Sequence, residues 1–246
     1  MQFNFIANAQ VPSLSGRTLP VIDPSDGQPY DEIQRSSPAD LHDAVGAAQQ
    51  CLYATWRSTS AVERGRLLYR LSQLVTEHAE ELAAIEQRDC GKPTRQARAD
   101  AQALARYFEF YAGAADKLHG ETLPYQQGYS VLTWHEPHGV TGHVIPWNYP
   151  MQIFGRSVGA ALAAGNTCVV KPSEDACLSL LRVAELAAQA GFPAGAINIV
   201  TGLGHEVGDA LARHPGIDHI SFTGSPTVGT LSLIHISEPT RRRGIS

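Results

Sequence analysis

Four short runs of this chain carry side chains able to do chemistry, and each sits where an apolar stretch gives way to a turn. Pro146-Trp147-Asn148-Tyr149-Pro150 holds a side-chain amide between two prolines that fix the local path. An amide donor on so rigid a path can steady an oxyanion; the competing reading is a turn closed by an Asx hydrogen bond. Lys171-Pro172-Ser173-Glu174 sets an ammonium close to a carboxylate. A lysine there can meet a ribose hydroxyl or a phosphate, and the carboxylate can accept from ribose hydroxyls and repel a 2′-phosphate. A surface ion pair without function is the alternative. Gly202-Leu203-Gly204-His205-Glu206-Val207-Gly208 resembles a dinucleotide-binding glycine loop, but its spacing is GxGxxxG and not GxGxxG, and a glycine turn under a closely packed helix would read the same. In Phe222-Thr223-Gly224-Ser225-Pro226, serine caps and proline starts a helix. Free amides at that start can hold an anion such as a pyrophosphate, or simply be capped.

The elements that position these runs follow from periodicity. The first 36 residues alternate turn formers (Pro12, Gly16, Pro20, Pro24, Gly27, Pro29) with short apolar stretches, which predicts loops and short strands. Ser37-Pro38-Ala39-Asp40 opens a helix reaching about Trp56, and Ser60-Ala61-Val62-Glu63 is a second capping box. Leu67, Leu68, Leu71, Leu74 and Val75 follow at helical spacing, with helix continuing through Leu82 and Ile85 to a stop at Gly91. Thr94 is expected to cap a third helix ending near Gly113, and residues 129–136 alternate like a strand. From Val140 the chain alternates strand (140–145), helix (151–164), strand (167–171), helix (178–190), strand (196–200), helix (207–213) and strand (219–222). Short links between them imply right-handed crossovers and a parallel sheet, an α/β, Rossmann-like fold with flanking helices behind a helical N-terminal segment. Ligands of such sheets bind beyond the carboxyl ends of the strands. All four runs lie there, so they converge on one edge.

Composition narrows the function classes. With 246 residues, 43% hydrophobic and 17% charged, the chain suits a soluble globular protein. A net charge of −5 gives no basic face for nucleic acid or an anionic membrane. No charged leader precedes Arg17 and no apolar run approaches the ~20 residues of a transmembrane helix, so the cytoplasm is the expected compartment. Cys51, Cys90, Cys168 and Cys177 match no zinc or CxxC spacing and make no disulfide scaffold; reduced thiols and no metal site are expected. Lys92 near Cys90, and a helix start near Cys177, are features that can lower a thiol pKa.

The runs VIPWNYP (144–150), GNTCVVKPSE (165–174), GFPAGAINIVTG (191–202) and FTGSPTVG (222–229), in this order, resemble the NAD(P)-dependent aldehyde dehydrogenases, as do WRSTSAVERGRLL (56–68) and DCGKP (89–93). The resemblance runs from about Phe3 to Thr230. It implies that Asn148 is the oxyanion donor and that Lys171 and Glu174 bind the adenosine ribose of NAD. It implies that Val144, Ile145, Pro146 and Trp147 line the cofactor site and that Gly204 and Gly208 let the cofactor approach the backbone. Phe222, Gly224, Ser225 and Val228 would flank the adenine and pyrophosphate. In this family a cysteine thiolate attacks a small aldehyde, hydride passes to NAD, and a glutamate activates the water that releases the acid.

The family's nucleophilic cysteine and glutamate base lie beyond the FTGS segment, so the resemblance implies a fragment cut before the catalytic cysteine and inactive alone. None of the four cysteines falls in a segment the family uses for attack. Residues 1–230 are expected to form the cofactor-binding domain, with the N-terminal helices and part of the oligomerisation segment (about 120–138), as in family members that form homodimers or homotetramers. Residues 231–246, LSLIHISEPTRRRGIS, do not continue the family pattern and resemble a translated sequencing adapter; a divergent tail is the alternative. Two other functions stay open: a dinucleotide-binding module without chemistry, and an interaction fragment that pairs with an intact homologue.

Overall fold

In the computed structural model, which describes residues 1–224 and Gly229, the turn-rich opening forms two antiparallel pairs. β1 (Asn4–Ile6) pairs with β2 (Ala9–Val11) across Ala7 and Asn8, whose φ angles of 51° and 61° give the hairpin the twist its strands need. β3 (Thr18–Ile22) pairs with β4 (Pro29–Gln34).

The helices then begin where their caps place them. At the head of α1 (Pro38–Ala54), the Asp40 carboxylate accepts from the Ser37 amide at 2.7 Å. At the head of α2 (Ala61–Glu77), Ser60 and Glu63 satisfy each other's amides, at 3.2 and 2.9 Å. The sequence pattern runs one helix on to Gly91, but His78 interrupts it and α3 (Ala79–Cys90) starts afresh. Gly91 ends α3 as expected, at a left-handed φ of 70° that favours glycine. Thr94 does not cap α4 (Thr94–Ala114): Pro93 holds that position, and the Thr94 hydroxyl turns back to donate to Gln87 at 2.9 Å. The strand expected over 129–136 shrinks to β6 (Val131–Leu132), paired with β5 (Thr122–Leu123) in a small arm that leaves Tyr125, Tyr129, Leu132 and Trp134 exposed.

Beyond the arm the alternation is as read: β7 (Val140–Ile145), α5 (Pro150–Ala163), β8 (Thr167–Pro172), α6 (Leu178–Ala190), β9 (Ile197–Ile199), a π-helical turn at Gly204–Gly208, α7 (Asp209–Arg213) and β10 (His219–Phe222). The six-stranded sheet has the order β10-β7-β8-β9-β1-β2. β7, β8, β9 and β10 are parallel, and β8 is buried along its whole length, as a strand covered on both faces should be. β1 joins antiparallel to β9 through Phe5 and Ile199, so the opening hairpin extends the sheet, a long-range pairing that local pattern does not reveal. α1 and α7 cover one face, α5 and α6 the other, and α2, α3 and α4 pack outside α5 and α6. The core runs through all these layers, with Trp56, Phe108 and Phe154 fully buried. Among the described residues no helix is long and apolar enough to cross a membrane.

Candidate functional site

The chain steps outward from β7 to β8 to β9, then returns to place β10 on the other side of β7. That order sets the carboxyl ends of β10, β7, β8 and β9 along one edge, where ligands of open α/β sheets bind in the crevice beside the point of reversal. The strand ends are held level: the Ser173 amide donates to Ile145 O at 2.8 Å and the Thr223 amide to Val144 O at 3.2 Å. Val144 and Ile145 are the last residues of β7; Ile145 is buried, while Trp147 beyond it is 57% exposed.

Asn148 stands exposed at the crest of the loop between β7 and α5. Its side-chain amide makes no hydrogen bond among the described residues, so no Asx bond closes the turn and the group is presented outward. The loop is fixed by its neighbours instead. Trp147 O accepts from the Cys90 thiol at 3.2 Å, the Lys92 ammonium lies 4.6 Å from the Tyr149 ring centroid, and Tyr149 O accepts the Ile153 amide of α5 at 3.0 Å.

Lys171 and Glu174 do meet, at 2.6 Å, but not as a surface pair: the Lys171 side chain is 3% exposed and that of Glu174 29%. Burying an ammonium is costly unless its site uses the charge. The second Glu174 oxygen accepts the Gly204 amide at 3.3 Å, joining the ends of β8 and β9. Burial tends to raise the Glu174 pKa, but the charge and hydrogen bond of Lys171 outweigh it and hold the carboxyl below its ordinary value. Neither Gly204 nor Gly208 has a positive φ. Among the described residues, a Cβ on Gly204 would find only the Lys171 ammonium, at 3.9 Å, and one on Gly208 nothing within 4 Å. The chain's own packing therefore does not demand glycine at either position, and open space lies over this backbone. A buried ammonium, a carboxylate at the mouth and an unencumbered glycine backbone are a donor set that fits a dinucleotide. Phe222 ends β10 half-buried, with Gly224 beside it; Ser225 and Val228, like residues 231–246, lie outside the described residues.

The cysteines offer no nucleophile. Burial raises the thiol pKa of Cys51 to about 11 and of Cys168 to about 12, and lifts that of Cys177 well above its ordinary value. The helix start does not favour a Cys177 thiolate, because the Asp89 carboxylate already accepts the amide of Leu178 at 2.9 Å. Burial first and the Glu86 carboxylate second push the pKa of Cys90 far up, outweighing the opposing pull of Lys92.

Sequence reading missed two supports of the site. Arg35 grips Glu206 with a guanidinium fork (3.1 and 2.6 Å), tying β4 to the glycine turn. Glu86, Lys92 and Asp100 form a buried charged cluster beneath the Asn148 loop. The one local sign of that cluster is acids at 86, 89 and 100 on faces of α3 and α4 that are otherwise apolar.

The aldehyde dehydrogenase family model matches residues 11–239, extending past Thr230 where the resemblance drawn from motifs ends. A hydroxyisobutyraldehyde dehydrogenase of Mycolicibacterium austroafricanum is 48% identical over 225 residues, 92% of this chain and 44% of that protein. A provisionally assigned aldehyde dehydrogenase from Burkholderia cenocepacia has a crystal structure that superposes with a TM-score of 0.95 at 69% identity, covering 96% of this chain and 50% of the other. An NAD+ complex of an aldehyde dehydrogenase from Bacillus cereus superposes with a TM-score of 0.94 at 38% identity, covering 96% and 49%. The chain thus spans about half the length of the relatives it matches.

Proposed function

This chain belongs to the aldehyde dehydrogenase family, and on that premise we propose that its sheet edge is the NAD-binding side of an enzyme that oxidises an aldehyde to a carboxylic acid. The observation that carries the reading is the Lys171–Glu174–Gly204 set: a buried ammonium whose one carboxylate partner stands at the mouth, under a glycine backbone open to a ligand. NAD supplies the hydride acceptor. Lys171 and Glu174 hold the adenosine ribose, and Gly204 and Gly208 admit the dinucleotide close to the main chain. Val144, Ile145, Pro146 and Trp147 line the site on the β7 side, with Phe222, Gly224, Ser225 and Val228 across the crevice. Asn148, outward and unbonded, donates to the aldehyde oxygen as negative charge grows on it. NAD is preferred to NADP because the Glu174 carboxylate repels a 2′-phosphate; the NAD+-bound Bacillus cereus relative supports the same choice.

Residues 1–230 form the cofactor-binding domain, and the arm within 120–138 joins subunits into a homodimer or homotetramer in the cytoplasm. None of the four cysteines falls in a segment the family uses for attack, and burial disfavours the thiolate of each, so the 246 residues bind cofactor without oxidising aldehydes. The test is calorimetric titration of the chain with NAD and NADP, beside an assay for NADH with several small aldehydes. Saturable binding that favours NAD, with no NADH formed, is expected. Equal or tighter binding of NADP would remove Glu174 from its role, and NADH production lost on Cys90→Ser would show that the nucleophile lies in this chain.

A further inference from the structure

The C-terminal turn of α3 touches both of the loops on which the proposed cofactor site depends. Asp89 is buried and accepts the Leu178 amide at 2.9 Å, at the start of the helix that directly follows the Lys171–Glu174 segment; its other oxygen accepts the Tyr30 hydroxyl at 3.3 Å. The next residue, Cys90, donates its thiol to Trp147 O at 3.2 Å, one residue before Asn148. Gly91 then reverses the chain at φ 70°, which brings Lys92 back beneath the same loop. There its ammonium lies 4.6 Å from the Tyr149 ring centroid and bonds Asp100 at 2.5 Å and Glu86 as well. Both carboxylates carry the connection further. Glu86 accepts from Ser179 Oγ on α6 at 3.3 Å, and Asp100 from Gln152 Nε2 on α5 at 2.7 Å.

Residues 89–92 are thus fastened to the end of β7 on one side and to the sequel of β8 on the other. A buried polar group gives up a full bond if its partner moves away, so a shift of this turn toward one loop strains its bonds to the other. We propose that the Asp89–Lys92 turn is a positioning joint that sets the spacing between the Asn148 loop and the Lys171–Glu174 segment, holding oxyanion donor and ribose partners in one frame. This rests on the cofactor reading of the sheet edge. Asp89, Cys90 and Lys92 are positioning residues, each bonded to other parts of the chain's own framework. The raised pKa of Cys90 fits the part, since only the protonated thiol can donate to Trp147 O.

The joint predicts crossed effects that two independent supports would not give. The full 246-residue chain has three tryptophans, and 5-fluorotryptophan labelling gives each a fluorine signal, with Trp147→Phe identifying that of Trp147. Asp89→Asn alters only the bonds to Tyr30 and the start of α6, yet it should move the Trp147 signal while that of Trp134, on the arm, stays in place. Cys90→Ala alters the bond to Trp147, yet it should lower the preference for NAD over NADP, which Glu174 and not the Trp147 loop sets, by about three- to tenfold. If either crossed effect is absent, the loops are held separately and the proposal fails. Should Asp89→Asn not fold, Tyr30→Phe removes one donor to the same carboxylate and carries the same readout. Failure of the unaltered chain to bind NAD counts against the cofactor reading alone; the Trp147 signal then decides the joint.

Discussion

Lys171, buried, and Lys92, mostly so, both have carboxylate partners, and the two are built differently. Lys92 lies between Glu86 and Asp100, both fully buried, with Gln96 and Gln152 donating to the same Asp100 oxygen at 2.7 Å. Lys171 has one carboxylate, at the mouth of the crevice, with open glycine backbone beside it. Burial works against the charge of Lys92, but its bonds to Asp100 and Glu86 outweigh it and raise its pKa. The first cluster closes on itself and holds helices together. The second leaves the ammonium with one carboxylate and donor capacity to spare. Two lysines near strand or helix ends look alike in sequence; the number of buried carboxylates around each tells a brace from a binding group.

Removing each lysine tests that distinction. Lys92→Met leaves two carboxylates buried without a cation and should cost ~3–5 kcal/mol of stability, read from denaturant midpoints. Lys171→Ala should cost less stability, because Glu174 can hydrate at the mouth, but should weaken NAD binding by ~1–3 kcal/mol in titration calorimetry. If Lys171→Ala destabilises as much as Lys92→Met and leaves NAD affinity unchanged, the two clusters are of one kind. Glu174→Gln sharpens the contrast further: it keeps the shape and removes the charge, so the ratio of NADP to NAD affinity should rise with little change in melting temperature. An unchanged ratio would place cofactor choice elsewhere.

A further effect is one of pH. Burial lifts the Glu86 carboxyl from an ordinary 4.5 to about 7 against the opposing pull of Lys92. The folded chain then keeps a proton that the unfolded chain releases. The stability this gives is complete below about 4.5 and is lost as the pH rises to about 7. Asp89, raised to about 6 chiefly by burial, adds a slope of the same sign. Glu86→Gln should therefore melt with a shallower decline than the unaltered chain between those pH values. Parallel curves would show that Glu86 does not titrate in that window.

Local signals carried the parts of the fold that local physics decides. The capping residues at Ser37 and Ser60 and the glycine stop at Gly91 were legible because each satisfies amides or a backbone angle within a few residues. The strand-helix alternation from Val140 was legible because strands buried on both faces read as short apolar runs. The break at His78 was not, since helical spacing continues across it, and the cap at Pro93 was not, since Thr94 beside it is the commoner capping residue. The positions of Lys171, Glu174, Gly204 and Asn148 after strands could be read; that Lys171 is buried and Asn148 unbonded could not, because both depend on what distant segments cover. The Arg35–Glu206 fork joins residues 171 apart, and no periodicity within either partner announces the other; the Glu86–Lys92–Asp100 cluster is near in sequence but depends on how the chain folds back between α3 and α4, which spacing along either helix does not show.

The pairing of β1 with β9 has a consequence for how the chain is made. The Ala7 amide donates to the Asn198 side chain 191 residues away, and β1 has its place in the sheet only beside β9. A ribosome adding ~5–20 residues per second delivers β9 on the order of tens of seconds after β1. For that interval the β1–β2 hairpin has no β9 edge to join and must wait, exposed. Chaperone contact during synthesis should therefore fall on the first dozen residues and end when the segment around Ile199 emerges, a hand-over that crosslinking of stalled nascent chains of increasing length would resolve.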